Sequence, residues 1–568
     1  MSYGSLKNWR FWISLNEFDN SIFPFLGAAK SLKTLYLQNN KMDGPFPLKE
    51  LQDLTKLELL DLSRNKFNGS ISVQVLPALR KLIALDLSNN EFSGSMELQG
   101  KFTYDFHGFV SCRDLQELVI SNNKLLGQFP LCITSLSKLR VLDLSSNQLN
   151  GEVPSDLGNI IALEYISLLD NNFQGFFSLS SIANLSELRV FKLSSNSNSL
   201  QLVLESSWQP KFQLSVIELR FCNLEKVPHF LLHQNDLRHV DLSHNKIPRN
   251  FSSWLLANNT NLEALLLRNN SLTIFQLPES AHKLIYLDVS VNKFNHSVPN
   301  NIGLILPHLR YMDLANNDFQ GNLPSSIVST GSCQDDEFYG YDYGVTHHNG
   351  YYIPSFSHVP NFFSTENVGM YFKSLLVVDM FNMDYLARTH AKIEFATKHR
   401  YDAYMGGNLK LLFGVDLSRN ELIGEIPKEL GGLVELQALN LSHNNLSGVI
   451  TKSFSRIKYV ESLDLSFNRL QGRIPPQLTD LSRLAIFNQF RIRDSRFFIN
   501  QPINGVSAIL GNKIGQGSVD FGTAAVEKNK KIIEVNQATE QAAKFPQRVG
   551  RAWFFIVDAF IRKVRNLL

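Results

Sequence analysis

The chain has 568 residues and carries 55 Lys and Arg against 52 Asp and Glu, a net charge of +3. That balance is too even to argue for nucleic acid as a partner. A globular chain of this length would divide into several domains, and its four cysteines, at 112, 132, 222 and 333, show no Cys-x-x-Cys spacing.

Residues 1 to 15 are left unplaced, because residues 1 to 30 contain no hydrophobic core of about 7 to 15 residues and no small-residue cleavage site of a secretion signal. Asn16 closes a degenerate repeat 24 residues before Asn40. From there the chain spells variants of Leu-x-x-Leu-x-Leu-x-x-Asn fifteen times, through Asn40, Asn65, Asn90, Asn123, Asn147, Asn171, Asn196, Cys222 in place of Asn, Asn245, Asn270, Asn292 and Asn317, then Asn420, Asn444 and Asn468. One such unit cannot bury its own leucines, so the period demands stacking into one elongated core, a leucine-rich-repeat solenoid.

Within a unit such as Leu57-Glu58-Leu59-Leu60-Asp61-Leu62-Ser63-Arg64-Asn65, Leu60 and Leu62 alternate with Leu59, Asp61 and Ser63. This is the period of a strand with one buried face, and it predicts that Leu59, Asp61 and Ser63 face outward. Stacked, the strands make a parallel sheet on the concave side, while the Asn amide satisfies backbone groups where the chain bends away. Several units continue as Leu-x-Gly-x-Ile-Pro, among them Leu149 to Pro154, Phe319 to Pro324, Leu422 to Pro427 and Leu470 to Pro475. Glycine permits a tight bend there, and proline stops further pairing.

This Gly-x-Ile-Pro signature resembles the plant-specific leucine-rich-repeat class of receptor kinases, receptor-like proteins and polygalacturonase inhibitors. The resemblance implies an α/β repeat fold, a right-handed curved solenoid with its parallel sheet on the concave face. Residues 16 to 329 form the first array and residues 408 to 488 a second. Between them, in residues 330 to 407, the period vanishes, and the stretch from Lys392 to Asn408 resembles the island of plant receptor-like proteins. In that family a membrane helix and a short tail without a kinase follow the last repeats. Here Leu484 to Asn488 opens another repeat, Gln489 replaces a leucine and Ile492 the Asn, and residues 489 to 568 read as a non-repeat tail. The tail has no apolar run of about 18 residues. It holds 13 Lys and Arg against 6 Asp and Glu from residue 491 onward, and 551 to 568 has a basic amphipathic pattern. The expectation is a truncated chain that, as written, is neither secreted nor membrane-inserted.

Eight Asn-x-Ser/Thr acceptors, at Asn68, Asn184, Asn250, Asn258, Asn269, Asn295, Asn440 and Asn445, fit a secreted surface, although the Asn-Leu-Ser wording of the repeats creates some by itself. Cys112 and Cys132 flank one repeat and are candidates for a local disulfide, or for two buried thiols. Cys333, near Asp335, Asp336, Glu337, His347 and His348, lacks any metal-ligand spacing, so no metal and no cofactor is expected. Gly515-Gln516-Gly517 lacks the strand and lysine of a phosphate loop, and no catalytic constellation was found. The chain reads as a recognition protein, not an enzyme.

The strand position between the two leucines is Asp in eight units, at Asp61, Asp86, Asp143, Asp241, Asp288, Asp313, Asp416 and Asp464. These are read as scaffold. The consensus breaks at Ser167, Lys192, Glu218 and Leu266, with Leu169, Asp170, Arg220, Phe221 and Arg268 beside them. Arg and aromatic residues are the side chains most often central to interfaces. Lys192, Glu218, Arg220, Phe221, Leu266 and Arg268 are therefore the candidate ligand contacts, the alternative being drift on a tolerant surface. The island, with nine of the sixteen tyrosines, adds Tyr339, Tyr341 and Tyr343, which either serve as an adaptable paratope or fold the island onto the solenoid.

The resemblance implies perception of a peptide or protein ligand in plant defence or development, at a plasma membrane with the repeats outside. Signalling would pass through adaptor and co-receptor receptor kinases, with repeats 412 to 478 as the docking surface. The alternatives are a soluble inhibitor of a pathogen cell-wall hydrolase, or a nonfunctional truncated product.

Overall fold

A computed structural model describes residues 10–12, 17–26, 29–71, 79–95, 114–204, 208–251, 253–330, 392–397, 400–405 and 413–488. All of these lie within one compact unit, Met1–Ala508. Its spine is a 17-stranded sheet. Each short strand, such as Leu59–Asp61, pairs in parallel with the corresponding strand of the next unit, as Leu60 does with Leu85 and Asp61 with Asp86. The inward residue of each strand and the leucines after it fuse into one core that runs from Phe23 to Leu484. The stacked repeats are the solenoid that the period predicted.

The Asn ladder shows why the units must stack in register. Asn65 Nδ2 donates to Leu37 O of the preceding unit at 2.9 Å and to Leu62 O at 3.1 Å, while its Oδ1 accepts from Met42 N at 3.2 Å. Asn90 repeats the pattern one unit on, to Leu62 O and Leu87 O, accepting from Phe67 N. One buried amide thus satisfies backbone groups of two neighbouring turns, which would otherwise be buried unpaired. Cys222 stands in the ladder as expected, its Sγ 3.4 Å from Leu193 O and 3.3 Å from Arg220 O. Asn196 does not. It is exposed, and the buried Ser195 takes the inward place, donating its hydroxyl to Phe173 O.

After the ladder residue the chain runs along a flank in small parallel sheets, including a five-stranded one. The glycine of Gly-x-Ile-Pro has positive φ, for example +78° at Gly424, where a Cβ would also collide with Asn322 Oδ1. The positive φ is what favours glycine there. The proline then caps a 3-10 turn on the far side, as Pro427 does for Lys428–Gly432. Among the described residues helices are few and short, the longest α-helix being Trp254–Asn258, and none is long and apolar enough to cross a membrane.

Across the island the stacking is unbroken. Tyr311–Asp313 pairs directly with Gly414–Asp416, Asn420 Nδ2 donates to Leu314 O at 3.0 Å, and Phe319 N donates to Asn420 Oδ1 at 3.0 Å. Of the island itself, Lys392–Thr397 and Arg400–Met405 form an antiparallel pair. Tyr339, Tyr341, Tyr343, Cys333 and the tail from 489 lie outside the described residues, as does Asn16.

One expectation about the strands needs correction. Leu59, Asp61 and Ser63 do point away from the leucine core, but they are buried. Leu59 belongs to a second apolar cluster on that face, with Tyr36, Ala84, Val119, Val141, Tyr165, Val190 and Val216. Cys132, a candidate for a local disulfide or a buried thiol, is a free buried thiol pushed up to about 11 by burial, and Cys112 lies outside the described residues.

Candidate functional site

The face of the main sheet opposite the leucine core is organised by the scaffold aspartates. Asp61 Oδ1 accepts from Ser63 N at 2.9 Å and Ser63 Oγ at 2.7 Å, and Asp288 with Ser290 and Asp464 with Ser466 repeat this. Burial pushes several of these carboxyls up, to about 8 at Asp86 and about 6 at Asp288, with Asp61 adding to the rise at Asp86. The eight aspartates are scaffold, as their repetition indicated.

Where the consensus fails, the same positions build an ionic network. Strands Val190–Ser195, Val216–Arg220 and His239–Asp241 are neighbours, with Lys192 opposite Glu218 and Glu218 opposite Asp241. Lys192 Nζ lies 2.7 Å from Glu218 Oε1, and His239 Nε2 lies 3.7 Å from the same oxygen. Arg220 reaches Asp170 Oδ1 at 3.4 Å and Asp241 Oδ2 at 3.8 Å. Burial raises the Glu218 carboxyl, but Lys192, His239 and Arg220 overcome it and hold Glu218 well below its ordinary value. Burial holds the His239 imidazole below its ordinary value, and neither ring nitrogen has a hydrogen-bond partner. An imidazole left in that state is destabilising by about 1–3 kcal/mol.

The six described candidates therefore divide. Lys192 and Glu218 are 1% and 4% exposed and face each other, and Leu266 is buried too. They were expected to be open to a ligand, but alternation fixes only which side a residue faces, and side chains of adjacent strands bury these three. Arg220 and Arg268 keep part of their side chains open. Arg268 Nη1 donates to Ser290 Oγ at 3.2 Å and lies 3.8 Å from Asp313 Oδ2. Phe221, at φ +53°, stacks on His244 with centroids 4.3 Å apart. His239 was missed. The first position of the strands is mainly aliphatic or Tyr, as at Leu59, Val141, Tyr165, Val190 and Val216, and reading that column would have marked His239 as a break, together with Glu117.

Of the glycan acceptors, Asn68, Asn184, Asn258, Asn269 and Asn295 are exposed. Asn445 is half-buried, and the side chain of Asn250 lies outside the description. Asn440 replaces a scaffold Asp, donating to Asp416 Oδ2 at 2.9 Å and accepting from Ser442 N and Oγ. Its amide is committed to the sheet, which argues against a glycan there.

The stacked strands, the Asn ladder and the flanking glycine bends define a leucine-rich-repeat protein, and models of that repeat match residues 410–470, 114–136, 138–160 and 308–329. The chain is 43% identical to Receptor-like protein 13 of Arabidopsis thaliana, in an alignment covering 77% of the chain and 62% of that protein. It is 41% identical to Receptor-like protein 15 of the same plant, covering 75% and 69%. The chain belongs to the receptor-like protein family. Among solved structures it is similar to the complex of PEPR1 with AtPEP1, at 20% identity and a TM-score of 0.49, covering 85% of the chain and 62% of that one.

Proposed function

We propose that the chain is the extracellular recognition part of a receptor-like protein that binds a peptide or protein ligand and signals through partner receptor kinases. The observation that carries this reading is local. Across the sheet the scaffold Asp and Ser repeat, and they give way to Arg and aromatic side chains around Arg220, Phe221 and Arg268, where a polar surface stays partly open. Lys192, Glu218 and Leu266 are buried beside that surface, and the island tyrosines Tyr339, Tyr341 and Tyr343 are proposed as its second half. Membership of the family supports placement at a plasma membrane with the repeats outside. The repeats after the island keep the consensus and are assigned to kinase partners.

The test is a binding screen of the glycosylated repeat array against a library of secreted plant peptides, followed by Arg220→Ala/Arg268→Ala. The double variant is expected to weaken binding by about 2 kcal/mol or more. Unchanged affinity would remove this surface from the ligand site.

A further inference from the structure

We propose that Glu218, His239 and Asp241 form a binding site for a divalent transition-metal ion of the zinc class. His239 and Asp241 are two apart on one strand and so share a face, and register sets Glu218 of the neighbouring strand directly opposite Asp241. One ligand atom from each residue lies within 4.8 Å of the others, and all three residues are buried. A zinc ion bound at about 2.0–2.2 Å to nitrogen and oxygen holds neighbouring ligand atoms about 3.4 Å apart. The His239 Nε2 to Glu218 Oε1 distance of 3.7 Å needs only a small adjustment to meet that.

The second observation is the state of His239. It is 1% exposed, and both ring nitrogens lack a hydrogen-bond partner, so a nitrogen can turn to an ion without breaking an existing bond. Asp241 is half committed. Its Oδ1 accepts from Ser243 N at 2.9 Å, which fixes the carboxylate, and its Oδ2 lies 3.8 Å from Arg220 Nε, beyond hydrogen-bond length. An imidazole with two carboxylates suits zinc or its first-row neighbours better than calcium, which takes six to eight oxygens. Three protein ligands also leave a fourth position for water or for a donor atom of a bound partner.

The competitor is internal. Lys192 Nζ sits 2.7 Å from Glu218 Oε1, so an ion must displace an ammonium already in place. Removing that ammonium should therefore favour the ion, an effect opposite to that of removing a ligand.

Chelator-treated full-length protein would be titrated with zinc by calorimetry, and with cobalt to read the visible spectrum of a tetrahedral site. One equivalent should bind, with no competition from calcium. His239→Ala and Glu218→Gln should each weaken zinc by at least about tenfold. Lys192→Met should bind several-fold more tightly, and added zinc should raise its unfolding temperature more than that of the parent. His229→Ala/His233→Ala removes an exposed histidine pair whose rings lie 6.0 Å apart and should change nothing. The proposal fails if the zinc equivalent survives in His239→Ala and Glu218→Gln, if the His229/His233 variant loses it, or if neither the parent nor Lys192→Met binds zinc.

Discussion

Two stretches of the same sheet make opposite use of one backbone. In Gly414–Asp416, Ala438–Asn440 and Ser462–Asp464 the position between the leucines is Asp, Asn and Asp, and each side chain accepts from a Ser two residues on. In Val190–Ser195, Val216–Arg220 and His239–Asp241 that position reads Lys, Glu and Asp, and the side chains bond mainly across strands. The leucine core beneath is the same in both. The first arrangement bonds mainly within each strand, with one neutral amide link from Asn440 to Asp416 across strands, whereas the second ties neighbouring strands through charge, so one leucine core carries two different chemistries on this face.

The largest effect should come from breaking the cross-strand arrangement. Lys192→Ala leaves Glu218 buried beside no ammonium, and removal of one partner of a buried pair costs about 3–5 kcal/mol. In metal-free buffer the unfolding temperature should fall clearly, and adding Glu218→Gln to the same chain should restore most of it. If Lys192→Ala is as mild as Asp464→Asn, the network contributes little and the contrast between the stretches is only one of sequence.

The ladder offers a second comparison. Asn444 donates to Leu417 O, Leu441 O and Ser442 O and accepts from Leu422 N, so Asn444→Ala strands several buried backbone groups and should cost about 3 kcal/mol. Cys222 makes only weak thiol contacts, and Cys222→Ala should cost about 1 kcal/mol. Equal losses in urea unfolding would show that the ladder amide acts through packing and not through its hydrogen bonds.

A smaller effect tests by pH the scaffold arrangement outside both stretches. Asp288, a scaffold residue, has its carboxyl raised from 3.8 to about 6, with burial the chief cause. A carboxyl whose folded value lies above its unfolded one gives stability that is complete below about pH 4 and is lost as pH rises through about 6. The loss should be on the order of 2 kcal/mol between pH 4 and pH 7. Asp288→Asn should remove that part of the slope, read from urea midpoints at each pH. A slope unchanged in the variant would assign it to other carboxyls.

Much of this fold was legible because its signals are local demands of the backbone. The Asn of the ladder and the glycine at positive φ each answer one turn's need, and the island showed itself as a stretch where those needs stop recurring. Asn196 misled because spacing alone selects the amide, whereas strand register sets Ser195, one residue earlier, opposite the ladder residue Asn171, and its hydroxyl bonds a different carbonyl, Phe173 O. The candidate site was harder to read. Alternation gave the correct side for Lys192, Glu218 and Leu266 but says nothing of coverage. His239 joins Glu218 only through strand stacking, which no spacing along the chain records.

The direct pairing of Tyr311–Asp313 with Gly414–Asp416 bears on how the array assembles. Everywhere else a new unit docks after roughly one repeat of chain, so order can spread from neighbour to neighbour. At this one junction the chain must close a loop of about a hundred residues, which by the logarithmic growth of closure entropy adds only about 1.2 kcal/mol over an ordinary repeat. The penalty is small at equilibrium but falls on a single step of folding, because the contacts that repay it form only after closure. The island can therefore lengthen, shorten or be exchanged with little effect on final stability, while its length sets how quickly the last repeats join the rest.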